Sequence, residues 1–333
     1  MTTTKDKVLK ILEENKGNSV SGENLAEIIG VSRSAVWKAI NELRKEGYFI
    51  EAITNKGYCL DKKNDVLSVQ GILPFLSDYD TKDKIFVFKT LESTNQTLKK
   101  MAIDGAKEGT MVISQEQTKG KGRMGRSFFS QSKSGIYMSI LLKPNFGISK
   151  SVLITTAASV AVCRAIKKLT NADPKIKWVN DIYINNKKIC GILTEAVTDF
   201  ESGQIEHIVL GIGVNFNTED FPKEISNVAG SLNTKNTSRN ELIAEIYKEV
   251  LSINNNLESR EFIKDYRSLS LVLGKEIRIY KAGKAPAGNE PDDRSTDFIC
   301  ATAIDIDNNG GLVVKYKDDS VASLNSGEIS IRV

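Results

Sequence analysis

Residues 117–129, Gln-Thr-Lys-Gly-Lys-Gly-Arg-Met-Gly-Arg-Ser-Phe-Phe, interleave Gly120, Gly122 and Gly125 with the cations Lys121, Arg123 and Arg126. Glycine lets backbone N–H groups turn inward onto an anion, and long cations add charge-assisted hydrogen bonds from the rim. The segment suits a phosphate or a carboxylate, although a solvated loop or a loose nucleic-acid contact would use the same residues. Phe128 and Phe129 can return the chain to a core or offer a face to a flat ring. Further along, Lys177 stands beside Trp178 just ahead of Asn180-Asp181, and Asn215 closes an apolar run. Cations and amides of this kind act by positioning and charge neutralisation, as when a carboxylate attacks the α-phosphate of ATP and pyrophosphate leaves. Lys177 in that place would lessen the repulsion between two anions; the same residue would also serve as a surface charge at a strand end.

Other chemistries lack residues. The single histidine, His207, lies within an apolar run and reads as structural, and the chain holds no HExxH, no GxSxG and no Cys/His pairing of suitable spacing. Cys59, Cys163, Cys190 and Cys300 are far apart and form no CxxC pair, so we expect reduced, mostly buried thiols and no metal site. With 46 basic and 42 acidic residues the net charge is +4, too mild to argue for nucleic acid; any positive patch must come from local clustering. The N-terminus leads straight into an amphipathic helix, and no apolar run approaches bilayer length, so a soluble cytoplasmic protein without a membrane partner is expected.

The elements that must position these groups fall into three textures, and 333 residues allow that many domains. In residues 1–62, Val8, Leu9, Ile11 and Leu12 stripe a first helix. Ser21 caps a second helix that Gly30 ends, and Ser32 caps a third over 33–46, with Val36, Ile40 and Leu43 facing inward. Arg33, Ser34, Trp37, Lys38 and Asn41 are left on the opposite face, the pattern of a helix-turn-helix that enters the major groove of DNA. A hairpin around Asn55-Lys56-Gly57, with strands over 48–53 and 58–60, would be its wing. A three-helix protein-interaction module is the alternative for this stretch.

After a polar linker at 61–65, residues 66–270 read as strands over 84–89, 110–115, 135–142, 176–185, 188–196 and 204–217, with helices over 94–106, 151–169, 238–256 and 259–269. Strands joined by short turns predict a mixed or largely antiparallel sheet, an α+β domain and not a doubly wound one. Gly211-Ile212-Gly213-Val214 lacks the third glycine of a dinucleotide fingerprint and sits inside a strand. Residues 271–333 read as a small β-barrel of short strands, interrupted by a long loop over 282–296.

Taken together, these motifs resemble those of the biotin protein ligases, specifically the bifunctional bacterial type that doubles as the biotin operon repressor. The likeness runs over essentially the whole chain. It rests on Ser93-Thr94-Asn95, the loop at 120–126, Lys177-Trp178-Val179-Asn180-Asp181, Lys188-Ile189-Cys190-Gly191-Ile192-Leu193, Gly211-Ile212-Gly213-Val214-Asn215 and Gly327-Glu328-Ile329-Ser330, in that order.

The resemblance implies a winged helix-turn-helix, a class II synthetase-like catalytic domain and a terminal SH3-like barrel. It implies a reaction that makes biotinyl-5′-AMP from biotin and ATP with Mg²⁺, then passes biotin to a lysine of a biotin carboxyl carrier protein. Ser93, Thr94, Asn95, Gln117, Lys121, Gly122, Arg123, Lys177 and Gly191 would border biotin. Arg123, Arg126, Phe128, Asn180 and Asn215 would lie by the adenylate, with Lys177 and Arg123 at the reacting groups. Ser32, Arg33, Ser34, Trp37, Lys38 and Asn41 would meet operator DNA, bound by a ligand-promoted homodimer. The chain departs from the family in carrying Lys121 where Arg is usual, Phe128 where Trp is frequent, Val179 where Pro is usual, and a longer 282–296 loop. A non-enzymatic ligand-sensing regulator and a lipoate ligase or acyltransferase are the alternatives.

Overall fold

The computed structural model describes residues 3–81, 83–143, 151–198, 205–280, 298–325 and 328–331. The chain divides into two compact units, Met1–Thr81 with Thr237–Ala244, and Lys82–Asn236 with Glu245–Val333.

In the first unit, helix α1 (Thr4–Glu14) opens on a capping box between Thr3 and Asp6, each side chain bonding the other's backbone N–H. Strand β1 (Ser19–Val20) precedes α2 (Gly22–Ile29), which Ser21 caps and Gly30 ends at φ 76°. Helix α3 (Arg33–Lys45) starts from Ser32, whose hydroxyl accepts from Ala35 N at 3.2 Å. The 3.6-residue spacing of Val8, Leu12, Leu25, Val36, Ile40 and Leu43 puts all of them into one core with Leu60. Each such side chain contributes roughly 1.5–3 kcal/mol by leaving water. Strands β2 (Ile50–Ile53) and β3 (Gly57–Leu60) form the antiparallel wing, and β1 joins its other edge. At Gly57, φ is 102° and a Cβ would stand 2.2 Å from Val20 O, so the turn requires glycine there.

The unit runs past the expected boundary at residue 62. A short helix α4 (Val69–Ile72) and a 3-10 turn (Leu73–Leu76) follow, elements too brief to leave a period in the sequence. The expected linker is held, because Arg239 bonds Asp65 through its backbone N–H (2.7 Å), its Nε (2.7 Å) and its Nη2 to Asp65 O (2.6 Å). Asn240 Nδ2 donates to Val66 O at 2.9 Å beside it.

The second unit is built on a seven-stranded sheet. Its elements in chain order are β4 (Ile85–Leu91), α5 (Thr94–Ile103), β5 (Met111–Gln117), β6 (Gly135–Leu142), α6 (Ser151–Leu169), β7 (Lys175–Lys177), β8 (Asp181–Ile184), β9 (Lys187–Thr198), β10 (Ile205–Asn215), the part of α7 (Arg239–Asn255) from Glu245 onward, and α8 (Phe262–Leu269). The sheet order is β4-β5-β6-β10-β9-β8-β7, with β4 and β5 parallel and the other neighbours antiparallel. This is the mixed sheet the pattern predicts.

The expected single strand over 176–185 is instead two, folded back so that Lys177 pairs with Asp181. The reason lies in the intervening residues. Val179 O accepts from the hydroxyls of Ser159 and Tyr266, each at 3.2 Å, in place of a ladder partner.

The C-terminal sheet comprises β11 (Glu276–Tyr280), β12 (Phe298–Ile306), β13 (Leu312–Tyr316), β14 (Val321–Leu324) and β15 (Glu328–Ile331). It is antiparallel in the order β14-β13-β12-β11-β15, the SH3-like arrangement expected. Its β12–β13 turn is closed by Asp307 Oδ1, which accepts from Asn309 N (2.8 Å) and Gly311 N (2.9 Å). The same turn reaches the central sheet: Trp178 Nε1 donates to Gly310 O at 3.0 Å. The loop expected over 282–296 lies outside the described residues.

Candidate functional site

One cleft, about 1110 Å³ of empty space with open solvent included, gathers most of the residues singled out in the sequence. Ser93, Thr94 and Asn95 reach it from the start of α5, Gln117 from the end of β5, and Lys121, Gly122, Arg123, Arg126 and Phe128 from the glycine-rich loop. Lys177 comes from the end of β7, Asn180 from the turn after it, and Gly191 from β9.

The closed end is a chain of neutral hydrogen bonds. Gln117 Oε1 accepts from Thr94 N (2.8 Å) and Thr94 Oγ1 (3.1 Å), and Gln117 Nε2 donates to Ser130 Oγ at 3.0 Å. Ser139, fully buried on β6, stands 2.8 Å from Thr94 Oγ1 and 2.6 Å from Asn95 Oδ1. Beyond Asn95 lies Glu195, bonded also to Lys99 Nζ at 2.6 Å. Burial works against charge on Glu195, but the hydrogen bonds from Lys99 and Asn95 outweigh it and hold the carboxyl below its ordinary range.

The loop folds back as a narrow ribbon, with Gly122 N on Arg126 O at 2.7 Å and Phe128 N on Gly120 O at 2.9 Å. This returns Phe128 over the sheet. A Cβ on Gly213 would lie 2.5 Å from its ring and one on Gly191 would lie 3.2 Å from it, so two strand glycines form the floor under the aromatic ring. Gly211 does the same for Asn95, whose Oδ1 would be 2.3 Å from a Cβ there. The glycines of the Gly211-Ile212-Gly213 run thus serve close approach of side chains across a sheet face.

The opposite wall is cationic. Lys177 is only 8% exposed, and its Nζ stands 5.7 Å from the centre of the Tyr183 ring. Arg123 Nη1 donates to Asn180 Oδ1 at 3.1 Å, and Lys188 Nζ lies 2.8 Å from Asp181 Oδ1 at the rim. A buried ammonium in a cleft that a guanidinium also lines suits an anionic ligand. Among the described residues no group of three His, Cys, Asp or Glu is placed to hold a metal, and no helix is long and apolar enough to cross a membrane.

Asn215 is not among the residues lining the cleft. Its amide donates to Gly230 O at 2.9 Å and Lys188 O at 3.4 Å, bracing backbone at the end of β10. Ser139 and Glu195 are residues that the sequence did not single out, and their own neighbours in the chain give no signal. His207 is buried within β10, and the four cysteines are free, Cys163 and Cys190 buried.

In the first unit, Arg33, Ser34, Trp37 and Lys38 are exposed along α3, Trp37 at 57%. Ser32 Oγ lies 2.8 Å from Ser34 Oγ at the head of this face. Asn41 is half-buried, and Arg44 lies close by with its Nε on Ile50 O at 2.8 Å, at the first residue of the wing. Helix α3 is thus held by its buried face, with cations, hydroxyls and an aromatic outward.

The biotin/lipoate A/B protein ligase family matches residues 87–215, and an HTH domain matches residues 4–59. The chain is 38% identical over 233 residues to the bifunctional ligase/repressor BirA of Bacillus subtilis, covering 69% of this chain and 71% of that one. It is 26% identical over 323 residues to BirA of Escherichia coli, covering 95% of this chain and 94% of that one. Among solved structures, the biotin protein ligase from Aquifex aeolicus in complex with biotin and ATP superposes with a TM-score of 0.61 at 26% identity, over 75% of this chain and 98% of that one. At 38% identity across 71% of the Bacillus subtilis protein, with a DNA-binding motif ahead of the ligase sheet, the chain belongs to the bifunctional biotin ligase/repressor family.

Proposed function

We propose that the cleft activates biotin with ATP and passes it to one lysine of a biotin carboxyl carrier protein, of acetyl-CoA carboxylase or a related carboxylase. In the first step a biotin carboxylate oxygen bonds to the α-phosphorus, the bond to the β-phosphate oxygen breaks, and pyrophosphate leaves. In the second the carrier amine attacks the anhydride carbonyl, AMP leaves with the electron pair, and the amine loses a proton as the amide forms.

The observation that carries this reading is the polarity of the cleft: a neutral hydrogen-bonding end at Thr94, Asn95 and Gln117, and a cationic wall at Lys177 and Arg123. That division fits a ligand with an uncharged polar ring and an anionic tail. Ser93, Gly122 and Gly191 line the biotin side, and Lys121 reaches over its carboxylate. Lys177 and Arg123 neutralise the two anions that must approach each other. Arg126, Phe128 and Asn180 serve the adenylate, with Asn215 bracing the backbone behind them. Mg²⁺ would enter with ATP and supply positive charge at its phosphates, with no carboxylate cluster of the described residues placed to hold it.

The helix-turn-helix makes the same chain a biotin-responsive repressor of biotin genes, acting in the cytoplasm. Adenylate in the cleft promotes pairing of two copies, so that two α3 helices meet a two-fold operator. The test combines purified protein, Mg-ATP, labelled biotin or lipoate, and an apo carrier domain. Label from biotin alone supports the ligase. Label from lipoate overturns the choice of acid, and label from neither leaves a sensor without chemistry. Sedimentation with and without biotin and ATP tests the pairing, which a monomer in both states contradicts.

A further inference from the structure

Asn95 stands between a carboxylate and a hydroxyl. Its Nδ2 donates to Glu195 Oε2 at 2.7 Å and more weakly to Leu193 O at 3.4 Å, while Ser139 Oγ lies 2.6 Å from its Oδ1. An ionised carboxylate only accepts hydrogen bonds, whereas an amide has a donor end and an acceptor end. Glu195 therefore dictates which end of Asn95 faces it, and the carbonyl end must face Ser139. Lys99 Nζ, 2.6 Å from Glu195 Oε1, keeps that carboxylate charged and oriented.

The order then propagates. Ser139 has one proton, and the closer acceptor, Asn95 Oδ1, takes it. No Ser139 proton is then left for its other acceptor, Thr94 Oγ1, at 2.8 Å. Thr94 Oγ1 donates its own proton to Gln117 Oε1 at 3.1 Å and keeps its lone pairs for the cleft that it lines. Were Asn95 turned over, its amino group would meet Ser139, the Ser139 proton would turn to Thr94, and Thr94 would lose acceptor capacity.

We propose that Glu195 is a positioning residue that, through Asn95 and Ser139, sets the donor–acceptor order of the closed end and makes it an acceptor for the ring N–H groups of a cyclic urea. The inference rests on the reading that this end takes the biotin ring. Neither Glu195 nor Ser139 is among the residues lining the cleft, so their effect is exerted through Asn95 and Thr94.

The experiment measures KM for biotin, KM for ATP and kcat of carrier biotinylation in wild type, Glu195→Gln, Asn95→Asp and the double exchange Asn95→Asp/Glu195→Gln. Glutamine can donate or accept, so Asn95 is no longer held in one orientation, and biotin KM rises roughly 10- to 100-fold while ATP KM stays within about twofold. Asn95→Asp sets carboxylate against carboxylate and raises biotin KM further. In the double exchange the amide at 195 donates to the carboxylate at 95, which still accepts from Ser139. Biotin KM then returns to within about fivefold of wild type, a coupling that a merely structural role does not produce. Ser139→Ala, which leaves the Lys99–Glu195 pair intact, gives the same biotin-selective rise. Unchanged biotin KM in Glu195→Gln with an active wild type overturns this inference alone, as does a double exchange as impaired as the two single changes combined. A wild type that leaves biotin unused overturns the proposed function as well.

Discussion

Arg123 Nη1 donates to Asn180 Oδ1 at 3.1 Å, tying the glycine-rich loop to the turn that follows Lys177. The other end of the Asn180 amide donates to Ile192 O at 2.9 Å, so the tie is anchored in β9. Asn180→Ala removes both bonds and leaves the loop cation without this partner. We expect kcat/KM for ATP to fall about tenfold, the worth of one charge-assisted hydrogen bond, with biotin KM little changed. Steady-state kinetics with each substrate varied in turn checks this; equal losses for both substrates would contradict the division of the cleft.

Gly213→Ala tests the floor under Phe128. A Cβ there would stand 2.5 Å from the ring, so the ring must leave its place. ATP binding is expected to weaken by roughly 2- to 13-fold, in line with the loss of an aromatic contact of about 0.5–1.5 kcal/mol. Because both changes act through one ring, Gly213→Ala in a Phe128→Ala background should add little. Isothermal titration with ATP reads both.

The parts of the molecule legible in the sequence are those whose signals are local. The caps at Ser21 and Ser32, the αL turn at Gly30 and the spacing of Val36, Ile40 and Leu43 each act within a few residues, and they suffice to place the helix-turn-helix. The glycine-rich loop and the Lys177 segment stand out for the same reason, and both line the cleft. What stayed hidden joins distant positions. Asn95 meets Glu195 across 100 positions and Arg239 meets Asp65 across 174, and neither side chain marks its partner in the sequence. The break at Trp178 leaves no local mark, because the groups that hold it, on Ser159, Tyr266 and Gly310, come from three distant parts of the chain. The motif around Asn215 points to the adenylate, while its amide turns to the backbone of Gly230.

On the DNA face, Arg33→Ala and Lys38→Ala are each expected to weaken operator binding and, where the cation meets a phosphate, to reduce the slope of log K against log salt by about 1. Carrier biotinylation should be untouched. Gel-shift titrations at several salt concentrations, run beside the biotinylation assay, check both halves.

Acid should expose the role of Glu245. Burial opposes its charge, but hydrogen bonds from Lys168 at 2.6 Å and Lys248 at 2.7 Å overcome it and hold the carboxyl below its usual 4.5. A depressed value in the fold means that the carboxylate stabilises fully above the unfolded value and loses that contribution as pH falls through the folded one. The stability difference between wild type and Glu245→Gln, measured by urea denaturation, should therefore be largest near neutrality and narrow below about pH 4.5.

The central claim is that Lys177 and Arg123 bring the biotin carboxylate onto the α-phosphate of ATP. Biotin-dependent exchange of labelled pyrophosphate into ATP isolates that step from transfer to the carrier. In Lys177→Met the exchange rate should fall by a factor of about 10² to 10³, the range for removing one preorganised charge from a developing anion, and Lys177→Met/Arg123→Met should fall further. Exchange at the wild-type rate in the folded double variant would contradict the account.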